Sequence, residues 1–159
     1  SFERTIIVDD TPFDRYLKGD KKAMSPAAIN GMKLFKTKAG CIQCHDGANF
    51  TDNSFHNIGV MGTDIGRGKF MPKGDKSLDG AFKTPGLRNI IFSAPYMHDG
   101  SEASLEEVVR FYNKGGKGHK NTSKLIKPLN LSKKEVFDIV AFLGALTQPL
   151  RIERPPMPK

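Results

Sequence analysis

Two cysteines and one histidine stand together in the run Cys41-Ile42-Gln43-Cys44-His45, and the 159-residue chain has no other cysteine. Two cysteines at this spacing near a helix end can present their sulfurs to the two vinyl groups on one edge of a porphyrin. The histidine that follows can then bind the iron from one side of the ring. The pattern is typical of a c-type haem attachment site. We therefore predict one haem c, bound covalently by Cys41 and Cys44, with His45 as an axial ligand.

A structural zinc site and a thiol redox pair are the alternative interpretations of these residues. Structural zinc needs four nitrogen or sulfur ligands, and the motif supplies three. The remaining histidines have no paired spacing that would supply the fourth: His56, His98 and His119. A thioredoxin-like pair is expected within a βαβ pattern, which the sequence does not show. A disulfide across so short a loop would add little stability.

The composition indicates one basic domain with much irregular structure. Lys and Arg number 25 against 17 Asp and Glu, a net charge of +8, and there are 16 Gly and 10 Pro. Seven lysines and no carboxylate lie between Lys114 and Lys134. This stretch is either a solvated loop or a docking face for an acidic redox partner. No nucleic-acid recognition motif is present, so nucleic acid is not an expected partner.

The sequence shows no transmembrane span and no signal peptide. The longest apolar run, Val136 to Leu146, is short and is interrupted by Asp138. The first residues lack the basic start and apolar run of a secretory signal. Because haem c is attached outside the bacterial cytoplasm, we expect an exported, periplasmic protein, whose sequence here is a mature or trimmed form.

Serine residues mark the starts of three predicted helices. Ser25-Pro26 places serine at the N-cap and proline at the first helical position. Ser104-x-x-Glu107 and Ser132-x-x-Glu135 are capping boxes, which start the other two helices. The first of these should end at Gly115-Gly116.

The order of a helix, the haem motif, a long loop and a terminal amphipathic helix predicts an all-α, cytochrome c-like domain. A few helices and long loops, chief among them residues 50–79, would wrap around one covalently bound haem. The first and last of the predicted helices should cross near Gly31 and Phe142. We assign residues 1–24 to a linker or strap outside the core, 25–148 to the haem domain, and 149–159 to an extended proline-rich tail.

Short motifs along nearly the whole chain resemble those of one bacterial family. In order, they are Phe13-Asp14-Arg15-Tyr16, the haem motif, Asn49-Phe50-Thr51-Asp52, Phe55-His56-Asn57-x-Gly59, Asp64-x-Gly66-Arg67, Phe82-Lys83-Thr84-Pro85-x-Leu87-Arg88-Asn89, Ala94-Pro95-Tyr96-Met97-His98-Asp99-Gly100 and Leu105-Glu106-Glu107-Val108-Val109. In this order they resemble the C-terminal haem domain of di-haem cytochrome c peroxidases and their MauG-type relatives.

The resemblance implies an electron-transfer domain. In the family an N-terminal haem binds peroxide and a C-terminal haem passes electrons to it. This chain has one haem motif, so the partner is expected to be a second, peroxide-binding haem domain or chain. Many members also hold calcium between the two domains, which suggests a calcium site at the backbone carbonyls of Ser93 and Pro95. The alternative is a stand-alone haem protein whose open iron binds peroxide or another small ligand.

The residue opposite His45 is left open by the sequence itself. Methionine is the usual distal ligand and raises the reduction potential. Met61, Met71 and Met97 lie downstream, and Met97, within a constrained turn, is the best of them. The resemblance implies a different ligand, because the family places it in the helix that follows His-Asp-Gly. Counted from Leu105, the leucine that begins this helix, the position of the family's distal ligand is Tyr112. MauG-type members have a tyrosine at that position.

Two arginines and two histidines are candidates for contacts with the haem periphery. Arg67 and Arg88 are expected to pair with the haem propionates, because a buried carboxylate needs a charged donor. His98, like His56, is expected near the propionates or behind the direct ligands. No catalytic residue is assigned.

Overall fold

The computed structural model of the chain describes residues 7–60, 62–118 and 120–149. Its regular elements are four α-helices and one two-stranded sheet, joined by loops and short 3₁₀ turns. The helices are α1 Pro12–Leu17, α2 Pro26–Lys36, α3 Leu105–Asn113 and α4 Lys133–Gly144; the strands are β1 Phe55–His56 and β2 Phe82–Lys83. The cytochrome c-like fold class stays a prediction.

The predicted start signals of α2, α3 and α4 are confirmed. Ser25, Ser104 and Ser132 each accept a hydrogen bond from a backbone N–H in the first helical turn. In α3 and α4 the side chain of the glutamate three residues later accepts a hydrogen bond from the backbone N–H of the capping serine, which completes both capping boxes. Gly115 follows the end of α3 with a φ of +82°, a conformation that glycine adopts without strain.

Helices α2 and α4 cross at Gly31, as predicted, but Gly31 faces Asp138, and the expected Phe142 instead contacts Phe35. A Cβ added at Gly31 would lie 1.8 Å from the carbonyl oxygen of Asp138, so only glycine permits this approach. Beside the crossing, Asn30 Nδ2 donates to Asp138 Oδ2 over 2.7 Å, and Lys134 pairs with the same carboxylate. Asp138 is buried, and these donors compensate its charge.

Four phenylalanines form the centre of the core. Phe13, Phe35, Phe50 and Phe142 meet edge-to-face, with ring centroids 5.2 to 6.2 Å apart. Helix α2 supplies Phe35 and α4 supplies Phe142, whereas Phe50 comes from the loop after the haem motif. The loop is therefore fastened to the helical core by its own side chain.

Helix α1 corrects one expectation. Residues 1–24 were expected to lie outside the core, but Phe13 and Met24 are both buried within it. Thr11 and Asp14 form a capping box for α1, and the Phe13 amide donates to the carbonyl of Ala145 over 3.1 Å. The described part of this segment is thus packed on the domain. Whether residues 1–24 join two haem domains stays a prediction.

The small sheet was not predicted. Strands β1 and β2 pair antiparallel, with Phe55 opposite Lys83 and His56 opposite Phe82. Two residues per strand are too few to produce the alternating pattern from which a strand is recognised. The sheet holds the middle of the long loop against the segment that precedes Arg88. None of the described helices is long and apolar enough to cross a membrane. The assigned tail lies outside the described residues, apart from Pro149.

Candidate haem site

A tight turn presents the two cysteines and the histidine. Gly40, with a φ of +63°, ends the segment after α2, and Cys41–Gln43 form one turn of 3₁₀ helix. The amide of His45 donates to the carbonyl of Cys41 over 2.9 Å, which brings the histidine back under the turn. Both cysteines are free thiols and partly buried. Neither cysteine is in a disulfide, as covalent attachment to haem requires.

The imidazole of His45 is held by one nitrogen. Its Nδ1 lies 2.9 Å from the carbonyl oxygen of Phe50, so Nδ1 carries the proton and donates. Nε2 is then the unprotonated nitrogen and is free to bind a metal. Metal-binding histidines in proteins use this arrangement, because the backbone acceptor fixes both tautomer and ring orientation. Burial lowers the pKa of His45, although the carbonyls of Phe50 and Pro85 oppose that shift. The ring is therefore neutral at pH 7, as a ligand must be.

The two thiols are poorly suited to redox catalysis. Burial raises the pKa of Cys41 to about 12. Burial and the charges of Asp52 and Asp46 also raise the pKa of Cys44. Reactive cysteines have lowered pKa values, because the thiolate is the nucleophile. The site does not fit a thioredoxin-like pair.

Tyr112 is the distal ligand that the resemblance implies. It occupies the last turn of α3. Burial raises the pKa of its phenol, and the charges of Cys41 and Cys44 raise it further. The phenol is therefore within electrostatic reach of both sulfurs. A cation such as ferric iron placed between them would reverse this shift and favour the phenolate.

Among the described residues, the methionine candidates Met71 and Met97 lie outside the helices. Met97 stands in the turn Tyr96–Gly100 with a φ of +69°, held by the Gly100 amide on its carbonyl. Met61 lies outside the described residues. The choice of distal ligand stays a prediction.

The two arginines have different surroundings. Arg67 lies over the rings of Phe55 and Phe70, 5.1 and 5.9 Å from their centroids. Within the described ranges no carboxylate pairs with Arg67. Its guanidinium is therefore available to an external carboxylate, as expected for a propionate partner.

Arg88 is already occupied. Nη1 and Nη2 each donate to Asp14 over 2.8 Å, and Nε donates to the carbonyl of Ala48 over 2.7 Å. The salt bridge is largely buried, and its hydrogen bonds help to lower the pKa of Asp14 to about 2 against the opposing effect of burial. This geometry weighs against the propionate role expected for Arg88. It supports a structural one, which ties α1 to the loop after His45.

His98 and the turn before it lie at the periphery. The His98 ring stacks on Phe82 of β2, with centroids 3.7 Å apart and planes 13° from parallel. Ser93 and Pro95 are exposed, and the Ala94–Pro95 peptide bond, which lies between their two carbonyls, is cis. Within the described part of the chain no backbone amide donates to either carbonyl. Those carbonyls are free to accept a cation, and calcium there stays a prediction.

His56 was expected near the propionates or behind the direct ligands, but its pairing with Asp52 was not predicted. His56 Nε2 lies 2.7 Å from Asp52 Oδ2, close to the sulfur of Cys44. Hydrogen bonds from His56 and Ser54 lower the pKa of Asp52 to about 2, although burial opposes them. Their spacing of four residues was visible in the sequence. The path of the loop, which brings this pair close to Cys44, could not be predicted from the sequence.

Comparison with known proteins places the chain in a family. It is 45% identical over 160 residues to the methylamine utilization protein MauG of Methylorubrum extorquens, covering 99% of this chain and 45% of that protein. It is 37% identical over 192 residues to the cytochrome-c peroxidase IdrP1 of Denitromonas iodatirespirans, covering 99% of this chain and 51% of that protein. The chain belongs to the MauG and di-haem cytochrome c peroxidase family.

A solved structure agrees with this placement. A MauG-like protein associated with microbial copper homeostasis superposes with a TM-score of 0.80 at 31% identity, over 89% of this chain and 52% of that one. No family model matches the sequence. The chain spans about half the length of these members of the MauG and di-haem peroxidase family.

Proposed function

We propose that this chain is a c-type cytochrome domain that carries electrons through one haem, as the electron-transfer half of a MauG-type or peroxidase-type oxidoreductase. The observation that carries the proposal is the His45 geometry. Its Nδ1 is fixed on the Phe50 carbonyl beside two free thiols, which leaves Nε2 for iron. When bound, haem c supplies a one-electron ferric–ferrous couple. We further propose a cytochrome c-like fold around it and an exported, periplasmic location.

The residues then have distinct tasks. Cys41 and Cys44 form the thioether bonds, and His45 binds the iron on one side. Tyr112 binds on the other side as a phenolate, which stabilises the ferric state and lowers the reduction potential. Arg67 is the favoured propionate partner, because its guanidinium has no carboxylate among the described residues, and His98 lies at the periphery. Iron with two protein ligands has no open position, which suits electron transfer rather than peroxide binding.

Two partners belong to the proposal. The first is a second haem domain, which would bind peroxide, because the family members it matches are about twice as long. The carbonyls of Ser93 and Pro95 would hold calcium at that junction. The second is an acidic redox protein that docks on the lysine-rich face. We define this face as the lysines at 114, 117, 120, 124, 127, 133 and 134, all of which are exposed.

A stand-alone enzyme is the second candidate. A mono-haem protein with an open iron would bind peroxide directly, and this applies if Tyr112 remains a protonated phenol. Its raised pKa in the absence of iron is the observation that favours this candidate.

The first measurement tests whether haem is attached, as both candidates require. The intact mass of the mature protein should exceed that of the chain by one haem, and the haem should survive acid–organic extraction. Both Cys41→Ser and Cys44→Ser should weaken retention, whereas His98→Ala should not. A mass equal to that of the bare chain would rule out both candidates.

The ferric spectrum then decides between them. Electron transfer predicts a six-coordinate, low-spin spectrum that cyanide and peroxide leave unchanged. A high-spin spectrum that responds to either ligand would instead identify the stand-alone enzyme.

A further inference from the structure

Three donor atoms of different chemistry meet beside the haem motif. The sulfur of Cys44, a carboxylate oxygen of Asp52 and a ring nitrogen of His56 all lie within 4.8 Å of one another. The proposed haem site uses Cys44, assigns no role to Asp52, and gives His56 only an expected place near the propionates or behind the direct ligands. Haem attachment therefore does not explain why these three donor atoms lie so close together.

Thiolate, carboxylate and imidazole are the ligands that zinc prefers in proteins. Zinc binds them at about 2.0–2.3 Å, which places tetrahedral ligand atoms about 3.5 Å apart. The three donor atoms already lie within 4.8 Å of one another, and zinc would replace the 2.7 Å contact between His56 Nε2 and Asp52 Oδ2. Three protein ligands with a water in the fourth position form a complete site of the open type.

The backbone holds the three residues in place without a metal. The Asp52 amide donates to the carbonyl of Cys44 over 2.8 Å, and the Ser54 amide donates to Asp52 Oδ1 over 2.9 Å. His56 belongs to β1, which pairs with β2. The Asp52 and His56 side chains are 20% and 23% exposed, so an ion has a route from solvent.

We propose that the haem-free chain binds Zn²⁺ through Cys44, Asp52 and His56, and that this metal site and haem attachment exclude each other. Metal binding stands independently of the proposed function, whereas the exclusion rests on it. Attachment forms a bond between Cys44 Sγ and one vinyl carbon, and the thiol hydrogen moves to the other vinyl carbon. A thiolate bound to zinc has lost that hydrogen, and the metal withdraws electron density from its sulfur, so addition to the vinyl group is slowed. The thioether formed with haem, in turn, is a weak zinc ligand.

Cobalt provides a direct probe of the site. We expect Co²⁺ added to the full, reduced, haem-free chain to give a thiolate-to-cobalt charge-transfer band in the near ultraviolet, which Zn²⁺ abolishes. His56→Ala and Asp52→Asn should each weaken Co²⁺ binding at least tenfold. The matched controls His98→Ala and Cys41→Ser should leave the band and the affinity within about twofold of the parent.

Several results would overturn the metal site. One is the absence of the band, and another is a band that survives His56→Ala unchanged. Loss of the band in Cys41→Ser would mean that an unfolded chain chelates cobalt through both cysteines, and this also overturns the site.

The exclusion is tested by incubating the reduced chain with ferrous haem. Zinc loading should slow thioether formation at least tenfold, and a chelator should restore the rate. Equal rates with and without zinc would overturn the exclusion. Failure to attach haem under any condition would contradict the proposed function, and the cobalt result would stand.

Discussion

At the scale of single residues, Phe50 and Asp14 connect the haem motif to its surroundings. Phe50 has a φ of +55°, and in this conformation its carbonyl reaches His45 Nδ1 while its ring joins the core. Asp14 binds both terminal nitrogens of Arg88, whose Nε holds the loop after His45. His45, the proposed iron ligand, is therefore positioned by residues that belong to the core and to α1.

Tyr112→Phe should convert the ferric spectrum from low-spin to high-spin or water-bound, and should raise the reduction potential. The phenolate donates negative charge to ferric iron, and phenylalanine offers no ligand atom. Absorption spectroscopy and potentiometric titration of the mature protein measure both effects. Met97→Leu is the control and should leave the spectrum unchanged. The opposite behaviour of the two variants would make Met97 the ligand.

Arg88→Ala should lower the free energy of unfolding by about 2–4 kcal/mol, because it leaves the Asp14 carboxylate buried without its partner. Denaturant titration at pH 7 measures the change. Arg110→Ala is the control, since its salt bridge with Glu106 is exposed and should contribute less than about 1 kcal/mol. Equal losses in the two variants would contradict the assigned role of Arg88.

The same salt bridge predicts a dependence on acid. The folded pKa of Asp14 is about 2, below the ordinary value of 3.8, so the unfolded chain binds the proton more readily. The contribution is complete above about pH 4 and is lost as the pH falls through about 2. In Asp14→Asn, the free energy of unfolding should fall less steeply between pH 4 and pH 2 than in the parent. Parallel curves for the two proteins would exclude this contribution.

At the scale of elements, short-range signals were readable and long-range ones were not. The caps of α2, α3 and α4 follow from neighbouring residues and were predicted. The crossing at Gly31 is an exception, because it is a long-range contact that was predicted from a small residue four positions before Phe35 in α2. Helix α1 has the same signals, Thr11 before Pro12 and Asp14 after it, but its six residues look too short to be recognised. The sheet and the approach of His56 to Cys44 depend on the path of a loop, which local sequence does not determine.

Gly31→Ala tests the helix crossing. The added methyl group would overlap the carbonyl of Asp138, so α2 and α4 must separate, and the free energy of unfolding should fall by about 1–3 kcal/mol or more. Thermal and denaturant unfolding measure this loss. Gly144→Ala is a matched control in α4, where an added Cβ meets no atom within 4 Å. It should be neutral or stabilise by up to about 1 kcal/mol. A harmless Gly31→Ala would show that the helices do not cross so closely.

At the scale of the whole molecule, positive charge is concentrated on the loop between α3 and α4 and on the first residues of α4. The loop between α3 and α4 is closed at its base by Asn113, which exchanges hydrogen bonds of 3.0 and 2.8 Å with Leu131. Lys134 of the lysine-rich face pairs with Asp138. For the other six lysines, no ion pair is found within the described ranges. The loop starts just after Tyr112, so a partner docked there would lie near the proposed iron site.

Electron exchange with an acidic redox partner should slow as ionic strength rises, because salt screens the lysine-rich face. Reversing Lys117, Lys120 and Lys124 to Glu should lower the association rate at least tenfold at low salt. Stopped-flow kinetics at several salt concentrations measure both effects. Reversal of Lys18, Lys21 and Lys22 changes the net charge equally at another site and should have a much smaller effect. Equal effects would mean that net charge, and not this face, governs association.

The double attachment of Phe50 has a consequence for any attempt to redesign this protein. Its ring touches three other phenylalanines, and its carbonyl sets the direction of the His45 imidazole. A substitution made in the interior only to improve packing would therefore turn the His45 imidazole, the proposed axial ligand. Such a variant would change the electron paramagnetic resonance spectrum of the bound ferric haem, even where its melting temperature is unchanged.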